Sequence, residues 1–176
     1  MEIIKTSIEG LVIIQPKVFE DKRGYFMESF KESIIKENFP EINFIQDNES
    51  KSSYGVLRGL HLQKPPFEQT KLVRVVEGEV LDVAVDLREK SSTYGKWVSI
   101  ILSSKNKKQF FIPKGFAHGF LVRSEYAILS YKVDNYYNKQ SEDGIKFDDP
   151  YLKIDWNFEM EEILVSQKDL NLEYLK

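Results

Sequence analysis

The 176-residue sequence contains no cysteine. Thiol nucleophiles, disulfide staples and thiolate-bound metals are therefore excluded. It has no excess of positive charge: 25 Lys and Arg stand against 28 Asp and Glu, giving a net charge of −3 at pH 7. That balance argues against a nucleic-acid partner held by bulk charge and leaves room only for a local basic pocket. No apolar run approaches the roughly 20 residues needed to span a bilayer. Met1-Glu2-Ile3-Ile4-Lys5 lacks a signal-peptide pattern. The expectation is a cytoplasmic protein with no membrane partner. Histidine is scarce too, with His61 and His118 the only two.

What is present suits one globular domain spanning residues 1–176, with 41% hydrophobic and 30% charged residues. Most of it reads as short β-branched or aromatic runs separated by turn signals: Leu11 to Ile14, Lys17 to Phe19, Trp97 to Leu102, Gln109 to Ile112, Phe116 to Arg123 and Ala127 to Val133. Lys71 to Arg88 reads as a hairpin turning at Glu77-Gly78. Many short strands with regular turns predict a mainly-β sandwich or small barrel. One helix is expected over residues 30–39, where Ser29-Phe30-Lys31-Glu32 matches a capping box and Ile34, Ile35 and Phe39 share a stripe. A second, weaker helix is expected over Glu159 to Leu164.

Histidine is the side chain whose charge changes near neutral pH, so both histidines are candidates for proton chemistry. If Phe116 to Val133 is a hairpin with its tip at Arg123-Ser124-Glu125-Tyr126, His118 falls opposite Tyr131, with Cβ atoms about 4.5–5.5 Å apart. Phe120, Leu129 and Val133 then join them on one face, a plausible pocket wall. Around the first histidine, strict alternation puts Arg58 and His61 on opposite faces. Gly59 between them predicts a bulge, or else a rim position for Arg58.

Two family resemblances follow. Pro113-Lys114-Gly115-Phe116-Ala117-His118, after a glycine-bearing histidine strand, is similar to a metal-binding cupin. His61, Glu68 and His118 would then be the ligands, with Gln63 standing where a second histidine belongs. A longer ordered series resembles the dTDP-4-dehydrorhamnose 3,5-epimerase family. It comprises Leu57-Arg58-Gly59-Leu60-His61, Lys71-Leu72-Val73-Arg74-Val75, Asp82-Val83-Ala84-Val85-Asp86-Leu87-Arg88, Ser92-Thr93-Tyr94-Gly95-Lys96-Trp97 and Ile112 through Phe120. Tyr131-Lys132, Asp149-Pro150, Ile154-Asp155-Trp156 and Ser166-Gln167-Lys168-Asp169 complete it. It departs from the family pattern at Leu62, where an aromatic is common, and at Asn157, where proline is frequent.

The second resemblance implies a cupin-type jelly roll with a few short helices, and no catalytic metal or cofactor. It also implies epimerisation at C3 and C5 of dTDP-4-keto-6-deoxy-D-glucose, on the route to activated L-rhamnose, with relatives that act at only one of the two carbons. Its residue roles carry over as follows. His61 is the base, Asp169 orients it, Tyr131 is the acid, and Lys71 stabilises charge on the C4 oxygen. Arg23, Glu28, Gln46, Asn48, Arg58, His118 and Glu142 contact substrate, and Tyr137 stacks on the thymine. The resemblance further implies a homodimer whose N-terminal strands complete the neighbouring site. Outside that resemblance Asp169 reads as a solvated carboxylate, Lys71 as a surface charge, and His118 and Tyr131 as core residues with their polar atoms satisfied.

Overall fold

The structure, a computed structural model, describes residues 1–175. The chain begins with β1 (Glu2–Lys5), β2 (Val12–Gln15), β3 (Val18–Asp21) and β4 (Gly24–Met27), then α1 (Glu32–Asn38). The central strands are β5 (Gln46–Ser53), β6 (Val56–Gln63), β7 (Lys71–Glu77), β8 (Glu79–Asp86), β9 (Trp97–Ser103), β10 (Gln109–Ile112), β11 (Phe116–Val122) and β12 (Tyr126–Val133). β13 (Glu142–Gly144), β14 (Leu164–Val165) and α2 (Gln167–Leu170) close the fold. Two sheets face each other, one in the order β1-β2-β10-β7-β12-β5, the other β13-β6-β11-β8-β9 with β14 beside β6. This is the expected mainly-β, cupin-type jelly roll. Among the described residues no helix is long and apolar enough to cross a membrane.

β8 shows why the sequence folds in layers. Apart from half-buried Glu79, the whole strand Glu79-Val80-Leu81-Asp82-Val83-Ala84-Val85-Asp86 is buried. Val80 and Ala84 pack into the core between the sheets with Val73, Phe110, Phe120 and Leu129. Leu81, Val83 and Val85 point the other way, into a second core closed by Phe147, Leu152 and Trp156. A strand covered on both faces needs apolar residues on both, hence its near-continuous hydrophobic reading, interrupted inside the strand by Asp82. A third core lies outside the first sheet, where Ile35 and Ile42 meet Leu72 and Phe111.

Both predicted hairpins are absent. β7 bonds to β10 and β12, whereas β8 bonds to β9 and β11. β11 likewise bonds to β6 and β8, and β12 to β5 and β7. Each apparent hairpin turn is a corner where the chain leaves one sheet for the other. The two corners are packed together. Gly78 has φ +82°, and a Cβ there would lie 2.1 Å from the Tyr126 carbonyl oxygen. The Ser124 hydroxyl accepts from Glu79 N–H at 2.8 Å and donates to the Tyr126 carbonyl at 2.6 Å. Period-2 patterning and a glycine look the same in a hairpin turn and in a sheet-to-sheet corner.

The helix near residue 30 forms without its predicted cap. α1 starts after Lys31, which makes no side-chain capping bond. Ser29 instead uses its carbonyl to accept from Gln109 Nε2 at 2.7 Å. The apolar stripe works, with Ile35 buried and Phe39 stacked on Phe111 at 4.0 Å. The second predicted helix is only one 3₁₀ turn, Met160–Glu162.

Candidate active site

A cavity of about 520 Å³ opens between the two sheets. Lys71 and Tyr131 enter it from β7 and β12 of the first sheet. Arg58, His61 and His118 enter from β6 and β11 of the second, and Asp169 from α2. Its apolar lining includes Val56, Phe120, Leu129 and Leu164. His118 and Tyr131 thus share the pocket as expected, but from facing sheets rather than as neighbours in one.

The β6–β11 ladder contains the predicted bulge. His118 pairs with His61 and Phe120 with Arg58, so two steps along β11 oppose three along β6. The extra residue cancels the alternation that would separate Arg58 from His61, and both reach the cavity. Arg58 is also an exposed rim residue, and its Nε donates to Ser52 Oγ at 2.9 Å.

His61 is half-buried, and its Nε2 lies 2.7 Å from Asp169 Oδ1. The other carboxylate oxygen accepts from Gly59 N–H at 3.2 Å. The four-residue helix α2 holds Asp169 in place. Ser166 is its N-cap, and the hydroxyl accepts from the Asp169 N–H at 3.1 Å. Ser166-x-x-Asp169 thus has the capping spacing that fails at Ser29. Burial pushes the Asp169 carboxyl up, but the His61 hydrogen bond and charge and the Gly59 and Ser166 donors outweigh it and leave it below the ordinary range. Asp169 is therefore ionised at neutral pH. A carboxylate only accepts, so His61 Nε2 carries the hydrogen of that bond and Nδ1 is the nitrogen left for proton transfer.

Burial lowers the Lys71 ammonium to about 8, against an opposing pull from Asp82. Its Nζ lies 3.5 Å from the His61 carbonyl oxygen. Burial raises the Tyr131 phenol, partly offset by Arg58, so it stays protonated at neutral pH. His118 Nε2 lies 2.8 Å from Asp82 Oδ1, and burial holds the ring below its usual value.

The other expected contacts divide into three places. Tyr137 donates to Glu142 Oε2 at 3.0 Å, and Lys168, a lining residue, pairs with Glu142 Oε1. Gln46 donates to Asn48 at 2.8 Å, and Asn48 stands opposite Tyr131 in the β5–β12 register. Arg23 and Glu28 do not reach the cavity of their own chain. Arg23 is 83% exposed and pairs with Asp21, while Glu28 pairs with Lys31. Sequence reasoning missed Lys168, Ser166, Ser50 and Asp82. Lys168 and Ser166 lie inside the Ser166–Asp169 motif that carries the resemblance, and Asp82 opens another motif of that series.

The alternative metal triad does not assemble. Glu68 lines a different groove from His61 and His118. Among the described residues, no three His, Asp or Glu side chains gather to hold a metal ion.

The family model described as dTDP-4-dehydrorhamnose 3,5-epimerase matches residues 5–176. The chain is 52% identical over 174 residues to the dTDP-4-dehydrorhamnose 3,5-epimerase of Methanothermobacter thermautotrophicus, covering 98% of this chain and 94% of that one. The crystal structure of the enzyme of that name from Elizabethkingia anophelis superposes with a TM-score of 0.95 at 53% identity, covering 99% and 96% of the two chains. A dTDP-6-deoxy-D-glucose-3,5-epimerase from Legionella pneumophila, solved with dTDP-4-keto-L-rhamnose, gives 0.94 at 49% identity, covering 98% and 92%.

Proposed function

The chain belongs to the dTDP-4-dehydrorhamnose 3,5-epimerase family, and from that premise we propose how its cavity performs the reaction. The protein is an isomerase that inverts C3 and C5 of dTDP-4-keto-6-deoxy-D-glucose to give dTDP-4-keto-L-rhamnose. Both carbons flank the C4 ketone, so losing a proton from either gives an enolate. Inversion requires a base on one face of the sugar and an acid on the other. One observation carries the assignment: the His61–Asp169 pair and Tyr131 enter one cavity from opposite walls. His61 Nδ1 removes the proton, and Asp169 stabilises the imidazolium that results. Lys71 stabilises the negative charge that develops on the C4 oxygen. The Tyr131 hydroxyl delivers a proton to the opposite face. His118 and Arg58 bind substrate, with Gln46, Asn48 and Glu142 at the cavity's edges. Tyr137 offers an exposed ring for the thymine to stack on.

The test is to incubate the protein with dTDP-4-keto-6-deoxy-D-glucose in heavy water and follow both protons by NMR. Exchange at C3 and C5 is expected. Exchange at only one carbon would make the protein a single epimerase, and exchange at neither would refute the assignment.

Arg23 and Glu28 act in the cavity of a second copy. Among the described residues β3 and β4 pair only with each other, and they expose Phe19, Tyr25 and Phe26. A two-stranded ribbon with exposed aromatics needs a surface to pack on. In a homodimer that surface is the neighbouring subunit, and Arg23 supplies a planar fork for the diphosphate. Co-expressing an Arg23→Glu chain with a His61→Gln chain is expected to restore activity, because one site of each mixed dimer keeps both residues. Two inactive chains that stay inactive together would rule out the shared site.

A further inference from the structure

Asp82 is fully buried on β8, and none of the chemistry above uses it. It shares the inner face of that strand with Val80 and Ala84, two ordinary core residues. Its Oδ1 accepts from His118 Nε2 at 2.8 Å. Its Oδ2 is also out of solvent and has no hydrogen-bond partner among the described residues. A buried carboxylate with an unpaired oxygen is less favourable to a fold than an apolar residue of similar size. Packing therefore does not account for it. It does not line the cavity either, so it does not touch substrate.

We infer that Asp82 is a positioning residue for the reaction: through one oxygen it fixes the His118 ring, and from behind the cavity wall it supplies the negative charge that accompanies the Lys71 ammonium. The inference rests on the roles proposed above for Lys71 and His118.

The two effects have different consequences. Because the carboxylate only accepts, His118 Nε2 carries the hydrogen. Burial, reinforced by the Lys71 charge, keeps the ring neutral at pH 7 despite Asp82. Nδ1 is then a neutral acceptor, suited to a hydrogen bond from a sugar hydroxyl. Asp82 acts on Lys71 through its charge. His61, His118, Arg58 and Tyr131 share the cavity with Lys71, but Asp82 is the group whose field opposes the loss of its proton on burial. Without Asp82, burial acts unopposed and the ammonium deprotonates below its present value of about 8.

The experiment is the pH profile of kcat/KM for Asp82→Asn, which reports groups on the free enzyme. The basic limb is expected to move to lower pH by about one unit or more, with a ~10- to 100-fold loss at pH 8, as removing a charge-assisted interaction implies. Affinity for thymidine diphosphate, measured by calorimetry, should stay within about two-fold because Asp82 does not line the cavity. Asp82→Glu, which keeps the charge, should return the limb toward that of the unmodified protein. A folded Asp82→Asn protein with an unmoved limb would overturn the inference. If neither variant folds, nitrogen-15 NMR of the unmodified protein decides it. A neutral His118 ring protonated at Nε2 supports the inference, and a ring that is charged or protonated only at Nδ1 overturns it. An unmodified protein that exchanges no substrate proton would instead refute the roles on which the inference rests.

Discussion

His61→Gln is expected to lower kcat by about 10²- to 10⁴-fold, the usual contribution of a positioned general base, and to abolish solvent exchange at C3 and C5 together. In the proposed mechanism one base serves both carbons, so the two losses should be equal. Glutamine keeps a polar side chain near Asp169 but has no lone pair basic enough to take a proton from carbon. The fold should tolerate the change, because His61 is half-buried at the cavity wall and its strand stays paired through the backbone. Tyr131→Phe separates the two halves of the reaction. It leaves the His61–Asp169 pair intact, so protons should still exchange while net inversion falls. The enolate is then reprotonated from the side it left. Single-turnover NMR in heavy water measures exchange and inversion in one sample. If His61→Gln keeps exchange at either carbon, His61 is not the only base. If Tyr131→Phe loses exchange and inversion equally, the phenol is not the opposing acid.

Sequence patterns placed most of the strands and singled out His61, His118 and Tyr131 as candidates, but did not show how the strands are joined. The segments from Gln109 to Ile112 and from Phe116 onward sit close to where their alternation and turns place them. β5 was invisible, since Gln46-Asp47-Asn48-Glu49-Ser50-Lys51-Ser52-Ser53 has no apolar periodicity at all. It is a strand because its backbone pairs with β12 along the full length of both. The chain corners at Gly78 and Ser124 look like hairpin turns because local sequence carries no record of which sheet receives the next strand. His118 and Tyr131 nonetheless reach the same cavity, since the residues assigned to the inner face of each strand do face inward. Asp169 could not be found from composition or periodicity. Its partner lies 108 positions away, and only the ordered motif series connected the two. Asp82 did leave a trace, as a carboxylate inside a run otherwise apolar enough to be buried on both faces.

Gly59→Ala is expected to destabilise the fold by at least ~3 kcal/mol, since it combines a strained backbone angle with a backbone clash. Gly59 has φ +131°, a region that L side chains rarely adopt. A Cβ there would lie 2.5 Å from Gly119 Cα and 2.9 Å from the His118 carbonyl oxygen. Neither obstacle is a side chain that can swing away. Relief would require β6 and β11 to separate at the bulge that brings Arg58 and His61 to one face. For a chain of this length the loss corresponds to a fall in Tm of roughly 6–12 °C. Activity should fall further than the unfolded fraction explains, even when assayed well below the new Tm. The Gly59 N–H donates to Asp169, and the His118 carbonyl beside it belongs to the residue paired with His61. A shift of the order of 1 Å at a catalytic pair costs about 10²-fold. Denaturant midpoints and rates from the same preparation measure the two losses together. An alanine variant with an unchanged midpoint would mean that the bulge yields without cost. A destabilised variant with full activity at low temperature would mean that the close approach of Gly59 and Gly119 serves the fold and not the geometry of His61 and Asp169.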